Sequence, residues 1–325
     1  MKAGSPTMAK QRGMAIISAL LIAAVVAVIA AGMLTRQSVF TRQLEAEQAR
    51  VQGVAVLRGG IEVSRHLLWD ARQRDPLTHL QQPWAQPLVL SQSTLPFEGR
   101  LEDEQGKFNL RNLVNQERID QEQLATFQRL CELIGINATL SQRISQRVIA
   151  SYPRLLNPQL ADKAPLGNGF DSGRETSPNA AQKPQRPTRP MLRSVDDLRS
   201  VEGINETLLA KLAAYFTLLP APTWINGNTA SALVLAAYVP GLSIERAQAL
   251  VAERDGGQWF INRGDFVNRL NMPQLEATRI RVGITSDWFR LRGQVRSDQR
   301  RVSLDALLHR PQDQLPRVIW SRVGV

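Results

Sequence analysis

The sequence predicts an α+β protein in which one long N-terminal helix packs on an antiparallel sheet and a large, mostly α-helical insertion separates the sheet's strands along the chain. Three patterns carry that expectation. An uncharged apolar run, Met14 to Leu34, continues without a proline as far as Trp69. Partial period-two alternation, the mark of a half-buried strand, appears at Phe97 to Glu102 and again from Ser286 to Arg296. Between those stretches the apolar residues follow helical spacing.

The apolar run has no charged residue over 21 positions. At about 1.5 Å per residue it reaches roughly 30 Å, the thickness of a bilayer's hydrocarbon core. Lys2, Lys10 and Arg12 precede it, so the positive-inside rule keeps the N-terminus cytoplasmic and sends the remainder across the membrane. A cleaved secretory signal, with Ile29-Ala30-Ala31 as a weak cleavage site, and a plain anchor are the simple readings. Ala49, Gly53, Leu57 and Ile61 recur every fourth residue, with Val54 and Leu68 beside them, so the helix is expected to continue as an amphipathic half. From Met14 to Leu68 it would extend roughly 80 Å, ending near Asp75-Pro76.

The head begins with the Phe97 stretch. A turn at Asp103 to Gly106 followed by a second short extended stretch reads as a β-hairpin. Helical spacing then covers Gln123 to Leu133 and Leu140 to Ile149. From Tyr152 to Pro190 the chain turns to Pro, Gly, Asn, Ser and Arg and reads as a long loop. Two short helical pairs follow, one pivoting on Gly203 and one on Pro240-Gly241, where glycine supplies the positive φ of a tight reversal. Strands are expected at Ser286 to Arg296, Arg301 to Leu308 and Arg317 to Val323, completing the sheet begun at Phe97. The expected organisation is residues 1–13, a basic leader; 14–34, a membrane span; 35–112, the amphipathic helix and first part of the head; 113–282, the helical insertion with its loop at 152–190; and 283–325, the closing strands.

The formal net charge is +11 over 325 residues. That balance suits nucleic acid, acidic lipid or simply a basic host proteome and selects none of them. Cys131 is the sole cysteine, which excludes an intrachain disulfide, and its apolar setting reads as a buried helix face. His66, His79 and His309 share no metal-ligand spacing; no phosphate-cradling glycine loop and no nucleophile elbow is present. The chain does not read as an enzyme.

Lys10-Gln-Arg-Gly-Met-Ala-Ile-Ile17 resembles the junction of the type IV prepilin class, whose leader is cut directly after the glycine. That resemblance makes Gly13 and Met14 the cleavage pair. Most members carry glutamate five residues into the mature chain; here that position is Ser18. Lack of this glutamate is typical of one branch, the general secretion pathway protein K family of type II secretion minor pseudopilins. Asp103-Glu-Gln-Gly-Lys-Phe-Asn-Leu-Arg-Asn-Leu113 is similar to the corresponding segment of the same family. A glutamate in the span is thought to neutralise the amine of a neighbouring subunit, a pairing that lipid makes valuable. Ser18 then marks a subunit with no neighbour above it.

The resemblance implies a pilin-like fold, a methylated Met14, a prepilin peptidase as processing partner, and other minor pseudopilins of the I and J types as tip partners, all at the bacterial inner membrane with the bulk in the periplasm. Some relatives hold calcium in the loop region. Here the candidate ligands are Asp162, Asp171 and Glu175, widely spaced among basic residues and short of the six to eight oxygens calcium takes. The two glycine-centred pairs resemble helix-hairpin-helix or SAM-like units, which opens an alternative: a membrane-anchored DNA receptor whose hairpins at Gly203 and Gly241 meet phosphates. The Asn228-Thr-Ala-Ser231 pattern speaks for it. Against it, Glu202 and Glu206 flank the first turn and the second has no cation at its tip, so nucleic acid is not the expected partner.

Overall fold

The computed structural model describes residues 9–91, 95–155, 184–276, 280–297 and 300–324. Helix α1 runs from Ala9 to Arg74, 66 residues, roughly 100 Å. It begins five residues before the expected Met14 and ends where the sequence places its end. It stops at Asp75-Pro76 because proline lacks the N–H a helix needs and disfavours helical backbone at the residue before it. Asp75 closes the end by accepting from the Leu77 N–H at 2.9 Å.

The sheet has five antiparallel strands in the order β1 (Leu88–Leu90), β2 (Phe97–Asp103), β9 (Trp288–Ser297), β10 (Arg300–His309) and β11 (Arg317–Gly324). The long-range step is β2 against β9, with Phe97 opposite Val295 and Leu101 opposite Leu291. The C-terminal strands therefore complete the sheet begun at Phe97. On one face Leu57, Ile61, Leu68 and Ala71 of α1 are buried against Phe97, Leu101, Phe289, Leu291, Val302 and Leu304. Packing begins at Gly53, one step later than the expected stripe, and Ala49 is only half-buried.

The expected hairpin through Asp103–Gly106 does not form. Residues Glu104–Gly106 make a single 3-10 turn, and the next stretch, β3 (Phe108–Asn109), leaves the sheet to pair in parallel with β6 (Phe216–Thr217) inside the helical part. The hairpin partner of β2 is the strand before it, β1. Asp103 holds this turn inside the molecule: one carboxylate oxygen caps it through the Gln105 N–H while the other is tied down by Asn226, Thr229 and Ser286.

The helical part has its own core, in which Phe108, Phe127, Phe216 and Tyr238 meet with ring centroids 5.4–5.9 Å apart. Its helices are Gln121–Leu133, Ala138–Ile149, Glu206–Tyr215, Ala232–Tyr238, Ile244–Asp255 and Arg263–Leu270. Each starts behind an Asp, Asn or Ser whose side chain accepts from an N–H of the first turn: Asp120, Asn137, Asn205, Ser231, Ser243 and Asn262. A second parallel pair, β7 (Ile225–Asn226) with β8 (Val282–Gly283), joins the chain just before it returns to the sheet. Two main hydrophobic cores, one from residues 57–101 and 289–308 and one from residues 108–282, follow from this route, with a small cluster of Leu219, Trp288 and Leu307 between them.

Candidate functional site

The functional geometry of the described residues is a helix, two hairpins and a junction. Gly13 and Met14 lie within the unbroken backbone of α1. From Ile16 onward the helix carries a window of mean hydropathy 2.8, and none of that window is buried by the protein. Val25 is 51% and Val28 72% exposed, and leaving such a column in water would cost roughly 25 cal/mol per Å² of apolar surface. Lipid removes that cost. Ser18 sits on this exposed column. Among the described residues α1 is the one helix long and apolar enough to cross a membrane.

The two glycine pivots have the backbone the sequence required, with φ of +95° at Gly203 and +83° at Gly241. The first pair is a 3-10 turn, Val195–Ser200, followed by the helix from Glu206. Both glycines are exposed. A Cβ at Gly203 would lie 3.5 Å from Leu140 and 3.9 Å from Arg143 Nη1, and one at Gly241 3.3 Å from Met272. The Glu202 carboxylate and backbone carbonyl both face Arg143, at 3.5 and 3.3 Å, and Glu206 is paired with Arg199 at 2.6 Å. The Asn228–Ser231 segment is used internally. The Asn228 side chain exchanges two hydrogen bonds with the Phe260 backbone, Thr229 donates to Asp103, and Ser231 caps a helix.

The third element is a buried polar junction that sequence reasoning missed. Asp103, at the end of β2, accepts from Ser286 Oγ at 2.5 Å, Thr229 Oγ1 at 2.5 Å, Asn226 Nδ2 at 3.1 Å and the Gln105 N–H at 2.8 Å. Asn226 Nδ2 also donates to the Thr78 carbonyl, and Arg310 Nη2 reaches Thr78 Oγ1 and the Ser286 carbonyl, each at 2.7 Å. The end of α1, both cores and the end of β10 thus meet at one carboxylate. Burial pushes the Asp103 carboxyl above its ordinary range, and its donors pull it only partly back. Burial likewise lowers the Arg310 guanidinium to about 10. No motif announces the group, since its members are scattered over more than 200 residues; the one local signal is the Asp-x-Gln step at the turn.

His66 is exposed, and His79 and His309 lie in different parts of the chain. Among the described residues no cluster of three or more His, Cys, Asp or Glu side chains gathers. Asp162, Asp171 and Glu175 lie outside the described residues. Cys131 is fully buried, and burial raises its thiol to about 11.

A single exposed apolar helix, continued into a head where it lies on an antiparallel sheet with a helical insertion, defines a pilin-like subunit with a single-pass membrane anchor. Two family models, both described as "Type II secretion system (T2SS), protein K", match residues 106–221 and 225–285. The chain is 28% identical to "Type II secretion system protein K" of Pseudomonas aeruginosa over 97% of its own length and 93% of that protein. It is 30% identical to the protein of the same name from Klebsiella pneumoniae, covering 83% and 82%. Its structure resembles a chain of the GspK-GspI-GspJ complex from the type 2 secretion system of enterotoxigenic Escherichia coli, with TM-score 0.65 and 18% identity over 87% of this chain and 99% of that one. The chain belongs to the type II secretion system protein K family and is a minor pseudopilin. Nothing among these relatives supports a DNA-uptake receptor.

Proposed function

We propose that this chain caps the tip of the type II secretion pseudopilus, a structural role with no catalytic step and no cofactor assigned to it. The observation that carries the reading is Ser18 on the exposed apolar column, where a subunit with a neighbour above it would place a carboxylate. Cleavage after Gly13 leaves Met14 as the methylated N-terminus. The N-terminus starts on the cytoplasmic side, and residues beyond the span lie in the periplasm. Small residues such as Ala23, Ala27 and Gly32 let partner helices approach closely in lipid. Partners of the I and J types join along α1, as the composition of the GspK-GspI-GspJ complex suggests. The helical insertion supplies bulk that crowns the fibre and helps move folded proteins through the outer membrane. The division into leader 1–13, span 14–34, head 35–112 and 283–325, and insertion 113–282 belongs to the same proposal; the two main cores support it.

The test is the N-terminal sequence and mass of the protein from membranes of a host with a prepilin peptidase. A chain starting at Met14, together with a retained leader and lost secretion in Gly13→Leu, is expected. An intact leader in the unaltered protein, or cleavage near Ala31, overturns the prepilin reading. Ser18→Glu should be processed normally and lose secretion or tip position; full function in that variant defeats the capping argument.

A further inference from the structure

The sheet has a second face, turned away from α1, and its chemistry is one-sided. Residues opposite one another in register point to the same side of a sheet. Arg100 lies opposite Arg292, which lies opposite Asp305, which lies opposite Arg322, so one row across four strands holds three arginines and one aspartate. Farther along, Arg301 lies opposite Arg296. Like charges placed directly opposite destabilise a sheet, and this face has two such pairs.

The carboxylates of this face, Glu98, Glu102 and Asp305, neutralise the arginines only in part. Asp305 is taken by Arg290, which binds both its oxygens at 2.7 and 2.6 Å. Glu102 is shared between Lys107 at 3.3 Å and Arg292 at 3.4 Å, and the Arg292 side chain remains 47% exposed. Among the described residues Arg100, Arg296, Arg301 and Arg322 enter no ion pair. Arg322 instead lies 5.0 Å over the Trp320 ring. Between Arg292 and Arg322 a shallow cleft of about 410 Å³ opens, with Ser303 and Asp305 among its lining residues. Beside it, β11 is the outer strand of the sheet, its Val318, Ile319 and Val323 38–47% exposed.

We propose that this outward face, from Arg100 through Arg292 to Arg322, docks a carboxylate-rich segment of a protein partner. A second copy of this face would repel it. Lipid headgroups are out of reach: from Leu34 to Gly53, where α1 first packs on the head, the helix rises roughly 28 Å, against a screening length of about 8 Å at physiological salt. Only that exclusion rests on the membrane-anchored reading. The charge pattern stands without it. A partner's carboxylates in the cleft would meet two guanidiniums in the fork geometry that suits them and relieve the like-charge pairs at the same time.

The full chain in detergent, titrated with a fluorescent twelve-residue poly-glutamate peptide, tests this. The triple variant R100Q/R292Q/R322Q should weaken binding about tenfold, three screened contacts at fractions of a kcal/mol each, and its thermal midpoint should hold or rise. The control R36Q/R42Q/R58Q removes the same charge from α1 and should leave binding unchanged. Equal losses in the two triples reduce the effect to net charge and overturn the proposal. So does a fall in the midpoint of R100Q, which would make the row structural, and so does tighter binding to heparin or to phosphatidylglycerol vesicles than to the peptide. N-terminal processing does not enter this assay, so its result is independent of the capping proposal.

Discussion

Ser286 Oγ lies 2.5 Å from Asp103 Oδ2, joining residues 183 positions apart at the point where the chain leaves the sheet for the helical part and where it comes back. The same oxygen accepts from Thr229 and Asn226, which belong to the helical part. The carboxylate therefore couples the sheet to the helical part, which also meet in a small apolar cluster of Leu219, Trp288 and Leu307. An amide at position 103 would keep the shape and offer one acceptor oxygen in place of two, leaving buried donors unmatched. Asp103→Asn should cost about 2–3 kcal/mol and Ser286→Ala about 1 kcal/mol, read as lowered midpoints in guanidinium titrations of the full chain in detergent. An unchanged midpoint in Asp103→Asn would show that the junction does not contribute to stability.

Phe97 is fully buried with its ring held among three glycines. A Cβ added at Gly60 of α1 would lie 2.5 Å from the ring, one at Gly99 2.6 Å and one at Gly293 2.5 Å. Gly59, the next residue along the helix, has nothing within 4 Å of its Cβ position. Adjacent substitutions should then have opposite signs. Gly59→Ala should stabilise by about 1 kcal/mol through helix propensity, while Gly60→Ala should lose about 1–3 kcal/mol to overpacking. Thermal midpoints moving in the same direction would contradict the cradle.

Cys131 should behave as a packing residue. With its thiol at about 11, the thiolate fraction at pH 8 is roughly 200-fold below that of an exposed cysteine of ordinary pKa. Maleimide labelling of the native chain should be slower by at least that factor than labelling in denaturant. Comparable rates would place the thiol at the surface.

Much of this was readable from the residues. The uncharged run marks α1, and the alternation at Phe97 and from Ser286 onward marks strands that are neighbours in the sheet. Cys131 was legible because its whole neighbourhood is apolar. The turn at Asp103 was misread because the local pattern of a tight turn is the same whether the following stretch folds back or departs. That choice is made by Asn226, Thr229 and Ser286, more than 120 residues away. The hairpins at Gly203 and Gly241 are recognisable by their glycines, yet the side chains beside each tip, Leu140 and Arg143 at the first and Met272 at the second, are linked to them by no local pattern. No local pattern in the last strands tells that Arg292 lies opposite Arg100; the register does.

His309 gives the fold a pH dependence with a definite sign. Its ring lies against Trp288, centroids 4.5 Å apart and planes tilted by 40°. Partial burial lowers its pKa below the ordinary 6.5; Asp287 opposes that shift, and Arg317 and Arg72 add to it. The folded state thus favours neutral imidazole more than the unfolded chain does. The resulting stability is present above pH 6.5 and is lost as pH falls through the lowered folded value. Denaturant midpoints at pH 7.5 and pH 5 should fall on acidification in the unaltered chain, and by less in His309→Gln, which cannot take up the proton. Equal falls would assign the dependence to other groups. The ring sits at the end of β10, one residue before the buried Arg310 that reaches Thr78 and Ser286, and protonation there adds a cation beside Arg72 and Arg317. The first region to loosen in acid should therefore be the junction and not the helical core, and hydrogen exchange should report it as faster exchange at Thr78 and Ser286 while amides around Phe127 keep their protection.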